Sequence, residues 1–292
     1  MAVRKAARAR GKSAAKKSVK KKAPARAARK PAPPAKPRRA ILPLQEAKIE
    51  VERRGRGKPL LFLQGEDTYE ASLPLIDELA RRFEVIMPWA PGYGRSTLPD
   101  SIRTIEDVSY LWLDLLDRLN LKNVAVMGFS VGGWIAAEMA TKNYSRLSRL
   151  VLVDPVGIKV GGPFDRDIAD IYFNSFEKVR ALKFADPAKD PRDLTKLSDA
   201  EAFLVARHRE TTAKLCWEPY FHNPSLKYRL NRIGVPTLVI WGASDGIVTP
   251  AYGRAYAKRI KGAKFVSIPK AGHLPHIEQP AAFMRTLAGF LR

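Results

Sequence analysis

The residues with the clearest chemical potential form the run Gly128-Phe129-Ser130-Val131-Gly132-Gly133. The apolar stretch Val124, Ala125, Val126, Met127 in front of it reads as a buried strand, and the small residues after it read as a closely packed helix. A nucleophilic serine on a sharp strand-to-helix turn needs small residues two before and two after it, because neighbouring backbone comes too close for a Cβ. A dinucleotide or phosphate loop fits less well: there is no Gly-x-Gly-x-x-Gly, and no Lys follows the glycines.

A serine hydroxyl is a weak nucleophile at neutral pH, so it needs a base and the base needs an orienting acceptor. The chain has four histidines: His208, His222, His273 and His276. His273, in Lys270-Ala271-Gly272-His273-Leu274-Pro275, is the expected base, with His276 its rival; His208 reads as a surface residue of a helix. Asp245, in Trp241-Gly242-Ala243-Ser244-Asp245-Gly246, is the expected acid, and Asp154 competes for that role because it also follows a strand. No metal and no cofactor is implied, since neither His273 nor His276 has a carboxylate or cysteine at ligand spacing.

These residues sit on an alternation of short apolar runs and longer helical patterns, the mark of an α/β domain with a mainly parallel sheet. Strands are expected at 47–53, 59–63, 84–87, 123–129, 149–153, 236–241 and 264–268, and helices at 73–83, 104–119, 131–141, 251–260 and 277–291. The strand at 47–53, closed by Gly55-Arg56-Gly57, is expected to pair antiparallel with 59–63. Thr104 and Asp107 form a capping pair for the helix they open. Between Asp154 and about Asn231 the alternation stops, and aromatic, charged, helical pieces take over.

The charge is uneven. Of 52 Lys plus Arg, 16 lie in residues 1–40, which hold no acid; the other 36, set against 29 Asp plus Glu, leave +7 on the rest of the chain. Residues 1–40 also carry 13 Ala and 5 Pro. Such a segment cannot bury enough apolar surface to offset ~1–2 kcal/mol of ordering entropy per residue. The domain expectation is therefore a disordered basic tail at 1–42, a core at 43–156 and 232–292, and a helical lid insertion at 157–231. The tail could bind nucleic acid or another polyanion weakly and nonspecifically, and it could instead be a transit peptide. Cys216 stands alone, which excludes an intramolecular disulfide, and it is expected to be a small apolar core residue. The run 124–137, free of ionisable residues and proline, falls short of the ~18–20 residues of a membrane span. A cytoplasmic location is expected.

From 45 to 292 the chain resembles the α/β-hydrolase fold family whose lid follows the sixth strand. The resemblance rests on Leu61-Phe62-Leu63-Gln64-Gly65, Pro91-Gly92-Tyr93-Gly94-Arg95-Ser96, the turn at Ser130, Trp241-Gly242 to Asp245, and Gly272-His273, in the order Ser130, Asp245, His273. It implies a serine hydrolase acting through an acyl-enzyme on a small ester-like substrate, a carboxylesterase, lactonase or related activity. Carbon-carbon bond hydrolysis and haloperoxidase-like chemistry are alternatives on the same fold. A polyanion-binding protein with an inert hydrolase domain is the alternative from another class. Ser130 argues against the dehalogenases and epoxide hydrolases of this fold, which use aspartate there. The resemblance also implies oxyanion donors in the backbone N–H groups of Val131 and Glu66. Where such proteins usually carry His-Gly, this chain has Gln64-Gly65, followed by Glu66-Asp67. The side chains of Glu66 and Asp67 are expected to point to water, and Gln64 to tie its loop. Trp217, Tyr220 and His222 are candidates for the substrate pocket.

Overall fold

The apolar runs become the strands of one sheet in the computed structural model, which describes residue 2, residues 36–66 and residues 68–292. Most of the expected basic tail, and Asp67, lie outside the described residues. All elements belong to Pro33–Arg292. The strands are β1 (Arg38–Leu44), β2 (Ala47–Arg54), β3 (Lys58–Leu63), β4 (Phe83–Pro88), β5 (Val124–Phe129), β6 (Leu147–Val153), β7 (Thr237–Gly242) and β8 (Lys264–Ile268). Their order across the sheet is β1-β2-β4-β3-β5-β6-β7-β8. β2 runs antiparallel to both of its neighbours, and every pair from β4 to β8 is parallel.

Two expectations change here. The strand at 47–53 does not pair with 59–63: Val51 to Arg54 face Pro88 to Val85, and β4 lies between β2 and β3. Gly55 and Gly57 carry the chain past that gap instead of closing a hairpin. A Cβ on Gly55 would stand 2.1 Å from the Ala80 carbonyl oxygen, and one on Gly57 would stand 2.5 Å from that of Arg82. The glycines press against the backbone of residues 80–83, where the chain enters β4, and there is room for nothing larger. The second change is β1, which recruits residues 38–42 from the expected tail into a hairpin with β2, in register from Arg38 opposite Arg53 to Leu44 opposite Ala47. Backbone pairing needs no apolar pattern, and this edge strand is largely exposed and carries Arg38, Arg39 and Pro43, residues that discourage further strands from adding.

The helices are α1 (Tyr69–Ala80), α2 (Ile105–Arg118), α3 (Val131–Lys142), α4 (Phe176–Lys183), α5 (Asp199–Cys216), α6 (Leu226–Arg229), α7 (Pro250–Lys258), α8 (Pro275–Glu278) and α9 (Pro280–Phe290). Side chains alternate across each strand, so β3 sends Leu60 and Phe62 to the layer of α1 and α9, and Leu61 and Leu63 to the layer of α2, α3 and α7. The Thr104–Asp107 capping box opens α2, whose Ile105, Val108, Leu111 and Leu115 face the sheet. The expected helix over 277–291 is split, because Pro280 has no N–H to continue the ladder from α8. Between β6 and β7 the chain forms α4, α5, α6 and short 3-10 turns.

Candidate active site

β5 is buried along its whole length, and it delivers Ser130 at its C-terminal edge. Ser130 has φ 50° and ψ −116°, a conformation costing a non-glycine residue ~1–3 kcal/mol, and α3 begins with the next residue. Small neighbours are a steric necessity there. A Cβ on Gly128 would lie 2.2 Å from the Gly132 carbonyl oxygen, and one on Gly132 would lie 2.3 Å from that of Leu63.

The loops after β7 and β8 bring two side chains to the same edge. The Ser244 N–H donates to the Ala271 carbonyl, and the Ala243 N–H to that of Ile268, which fixes one loop on the other. His273 Nε2 lies 2.9 Å from Ser130 Oγ, and His273 Nδ1 lies 2.8 Å from Asp245 Oδ2. Because an ionised carboxylate only accepts, Nδ1 carries the proton and Nε2 presents its lone pair to the serine hydroxyl. Asp245 Oδ1 accepts from the N–H groups of Ile247 and Val248, at 2.8 and 3.1 Å.

Asp154 lies beside this chain of bonds, fully buried. Its Oδ1 accepts from the Gly242 N–H at 2.8 Å, while no donor faces Oδ2. Burial, and then the Asp245 charge, push the Asp154 carboxyl well above the usual carboxylate range. A proton on Asp154 would allow its carboxyl to donate to Asp245. Asp154, Asp245 and His273 thus offer ligand atoms within 4.8 Å of one another. Both ring nitrogens of His273 already hold hydrogen bonds, so a cation ligated by the imidazole would have to break its bond to Ser130 or to Asp245.

His276 stands elsewhere. It packs on Phe129 and Phe283, and its Nε2 is 3.0 Å from Ser72 Oγ. Burial, and then the nearby His273, push its pKa down to about 3. His208 is not a surface residue: it is buried, stacks on Tyr93 and accepts the Gly94 N–H at 3.1 Å, which joins α5 to the loop after β4.

The Ser130 hydroxyl opens on a cavity of about 20 Å³, room for roughly one water molecule. Its walls include Gly65, Glu66, Val156, Ile168, Ile171 and Phe221. Glu66 therefore borders the same cavity as the serine, and the backbone of Gly65 comes close to it: an added Cβ would be 3.3 Å from that of Ser130. The Glu66 side chain does not point to water: it is 13% exposed and pairs with Lys183 at 3.5 Å. Val131 holds the first position of α3, whose leading N–H groups have no partner within the helix. Gln64 is half-buried next to these residues and does not line the cavity. Trp217, Tyr220 and His222 line a separate cavity of about 420 Å³ with Phe164 and Asp167. Cys216 is buried in the core, and burial pushes its thiol up.

Two residues had no motif to mark them. Lys183 ends α4 and lines the Ser130 cavity. Glu278, buried in α8, accepts from the N–H groups of Gly272, Ala185 and Asp186, so it clasps the segment after α4 to the His273 loop. Nothing in the local pattern distinguishes them from surface charges.

Among the described residues, no helix is long and apolar enough to cross a membrane. A 3-oxoadipate enol-lactonase of Acinetobacter baylyi is 25% identical to this chain over 231 residues, covering 75% of this chain and 82% of that protein. A 2-hydroxymuconate semialdehyde hydrolase of a Pseudomonas species is 29% identical over 253 residues, covering 81% and 88%. The crystal structure of a serine hydrolase from Cycloclasticus zankles matches with a TM-score of 0.71 at 17% identity, over 87% of this chain and 98% of that one, a likeness of fold. The model of the family described as the alpha/beta hydrolase fold matches residues 58–280, from β3 to the first residue of α9, and the chain therefore belongs to that family.

Proposed function

We propose that the protein is a serine hydrolase acting on an ester-like carbonyl, a carboxylesterase, lactonase or related activity, with Ser130 as nucleophile, His273 as base and Asp245 as the acid that orients it. The observation that carries this reading is the continuous bond chain from Ser130 Oγ through both nitrogens of His273 to Asp245. In the proposed reaction His273 Nε2 takes the Ser130 proton as Oγ attacks the carbonyl carbon. The N–H groups of Val131 and Glu66 hold the oxyanion, each such donor being worth ~3–4 kcal/mol. The imidazolium returns its proton to the leaving group, and a water activated by the same nitrogen cleaves the acyl-enzyme.

Residues 157–231 act as a lid in this reading, supported by the presence of Ile168, Ala169, Ile171, Lys183 and Phe221 in the cavity wall. Room for one water does not admit an ester, so the lid moves before substrate binds. The semialdehyde hydrolase relative makes carbon-carbon bond hydrolysis the second reading. The polyanion role rests on the composition of residues 1–40 alone. The test is labelling by a fluorophosphonate probe, with turnover of p-nitrophenyl esters, lactones and carbon-carbon hydrolase substrates. The serine hydrolase reading requires labelling of the wild type and none of Ser130→Ala; equal labelling of both proteins overturns it.

A further inference from the structure

Among the described residues that line the Ser130 cavity there is one lysine, Lys183. The wall is mostly apolar, and among the described residues those with a formal charge, apart from His273, are Lys183 and Glu66. Both are 13% exposed, and an ammonium so placed is costly unless it is paired. The pair they form is loose. At 3.5 Å it is well beyond the ~2.7–2.9 Å of a charge-assisted hydrogen bond, and Lys has three N–H donors to satisfy.

The base of the Lys183 side chain, by contrast, is rigidly placed. Its carbonyl accepts the His273 N–H at 2.7 Å, and the carbonyl of the preceding residue, Leu182, accepts the Gly246 N–H at 3.0 Å. The next residue, Phe184, is buried and donates to the Arg180 carbonyl. Glu278 then takes the N–H groups of Ala185 and Asp186. Lys183 is thus tied through its own backbone to the loop that carries His273, and through that of Leu182 to the loop that carries Asp245. Glu66, in the turn between β3 and α1, belongs to no helix or strand, so its side chain can leave without disturbing one. Of the two partners, Lys183 has the more firmly held backbone and Glu66 the freer one.

We infer that Lys183 is a specificity residue for a substrate that carries a carboxylate, which displaces Glu66 from the ammonium when it binds. The inference rests on the serine hydrolase reading and names its substrate class. A ligand carboxylate can close to hydrogen-bond distance where Glu66 stands off, and the net +7 outside residues 1–40 favours the approach of an anion. A substrate amine held by Glu66 is the opposite outcome, and it would have to displace Lys183.

The experiment compares kcat/KM for p-nitrophenyl hemiesters of succinic, glutaric and adipic acid with neutral p-nitrophenyl esters of matched length and with an aminoacyl p-nitrophenyl ester. The wild type should favour at least one hemiester over its neutral match. Lys183→Met should lower that hemiester-to-neutral ratio by about tenfold or more, Lys183→Arg should restore most of it, and Glu66→Gln, which removes the competing anion, should raise it. The ratio compares two substrates on one protein, so a variant that is partly unfolded still reports. Preference for the aminoacyl ester, or a ratio that Lys183→Met leaves unchanged, overturns the inference, while Ser130-dependent turnover of the neutral esters would keep the hydrolase reading. If the wild type turns over no ester at all, both fall together.

Discussion

The N–H of His273 donates to the carbonyl of Lys183 at 2.7 Å, so the proposed base and the last residue of α4 share a main-chain bond. The segment between β6 and β7 is therefore not merely laid over the sheet. Its C-terminal edge of α4 forms part of the support of the imidazole, and Glu278 reinforces the joint from the other side. A movement that opens the cavity must leave this joint intact or disturb His273.

The two acids should separate cleanly. Asp245→Asn replaces the carboxylate that accepts the Nδ1 proton and is expected to lower kcat by about 10³–10⁴-fold, as loss of the correct tautomer does. Burial and the Asp245 charge push the Asp154 carboxyl well above the usual carboxylate range, so Asp154→Asn, a neutral side chain of similar shape, should cost less than about tenfold. Steady-state kinetics on one ester decide between them; the reverse ranking would make Asp154 the acid.

Acid sensitivity should trace partly to His276. Its folded pKa of about 3 lies below the ~6.5 of an unfolded histidine, so the unfolded chain binds the extra proton. Stability from this group is complete above about pH 6.5 and declines as the pH falls toward 3. Urea unfolding of wild type and His276→Gln between pH 7 and 4 should show a smaller loss in the variant, which has nothing to titrate.

Glu278→Ala leaves three N–H groups, those of Gly272, Ala185 and Asp186, without their acceptor. The buried Gly272 N–H costs ~1–3 kcal/mol when orphaned, and the other two, on exposed residues, cost less. A fall in Tm of several degrees is expected, with a fall in kcat because the His273 loop loses its clasp. Glu278→Gln, which retains an acceptor oxygen, should recover much of both.

The hairpin at the sheet edge predicts a boundary for truncation. A protein starting at residue 36 keeps β1, and with it the Arg39–Glu52 bond at 2.6 Å. Starting at residue 46 removes the strand paired along β2 and takes one cation from a fully buried Glu52, which keeps Arg54 and the Tyr69 hydroxyl. Thermal melts should show the second truncation destabilised by at least ~1 kcal/mol relative to the first. Equal melting temperatures would mean that β1 contributes nothing.

The sequence alone determined the elements and the chemistry that depends on local geometry. Four apolar residues ahead of Gly128 specify a strand buried on both faces, and glycines two before and two after Ser130 are required by contacts within a few ångströms of the turn. The candidates His273 and Asp245 were legible because each follows a strand that ends at the same edge. Only the tertiary structure decided the relations between distant segments. It inserted β4 between β2 and β3, drew residues 38–42 into a hairpin by backbone pairing, and moved Trp217, Tyr220 and His222 to a different cavity from Ser130. It also turned Lys183 and Glu66, which are 117 positions apart, into a buried pair beside the nucleophile. Patterning reports which face of an element is apolar. Which charged side chain ends in a cavity depends on how helices with weak patterns settle over the sheet, and no local period encodes that.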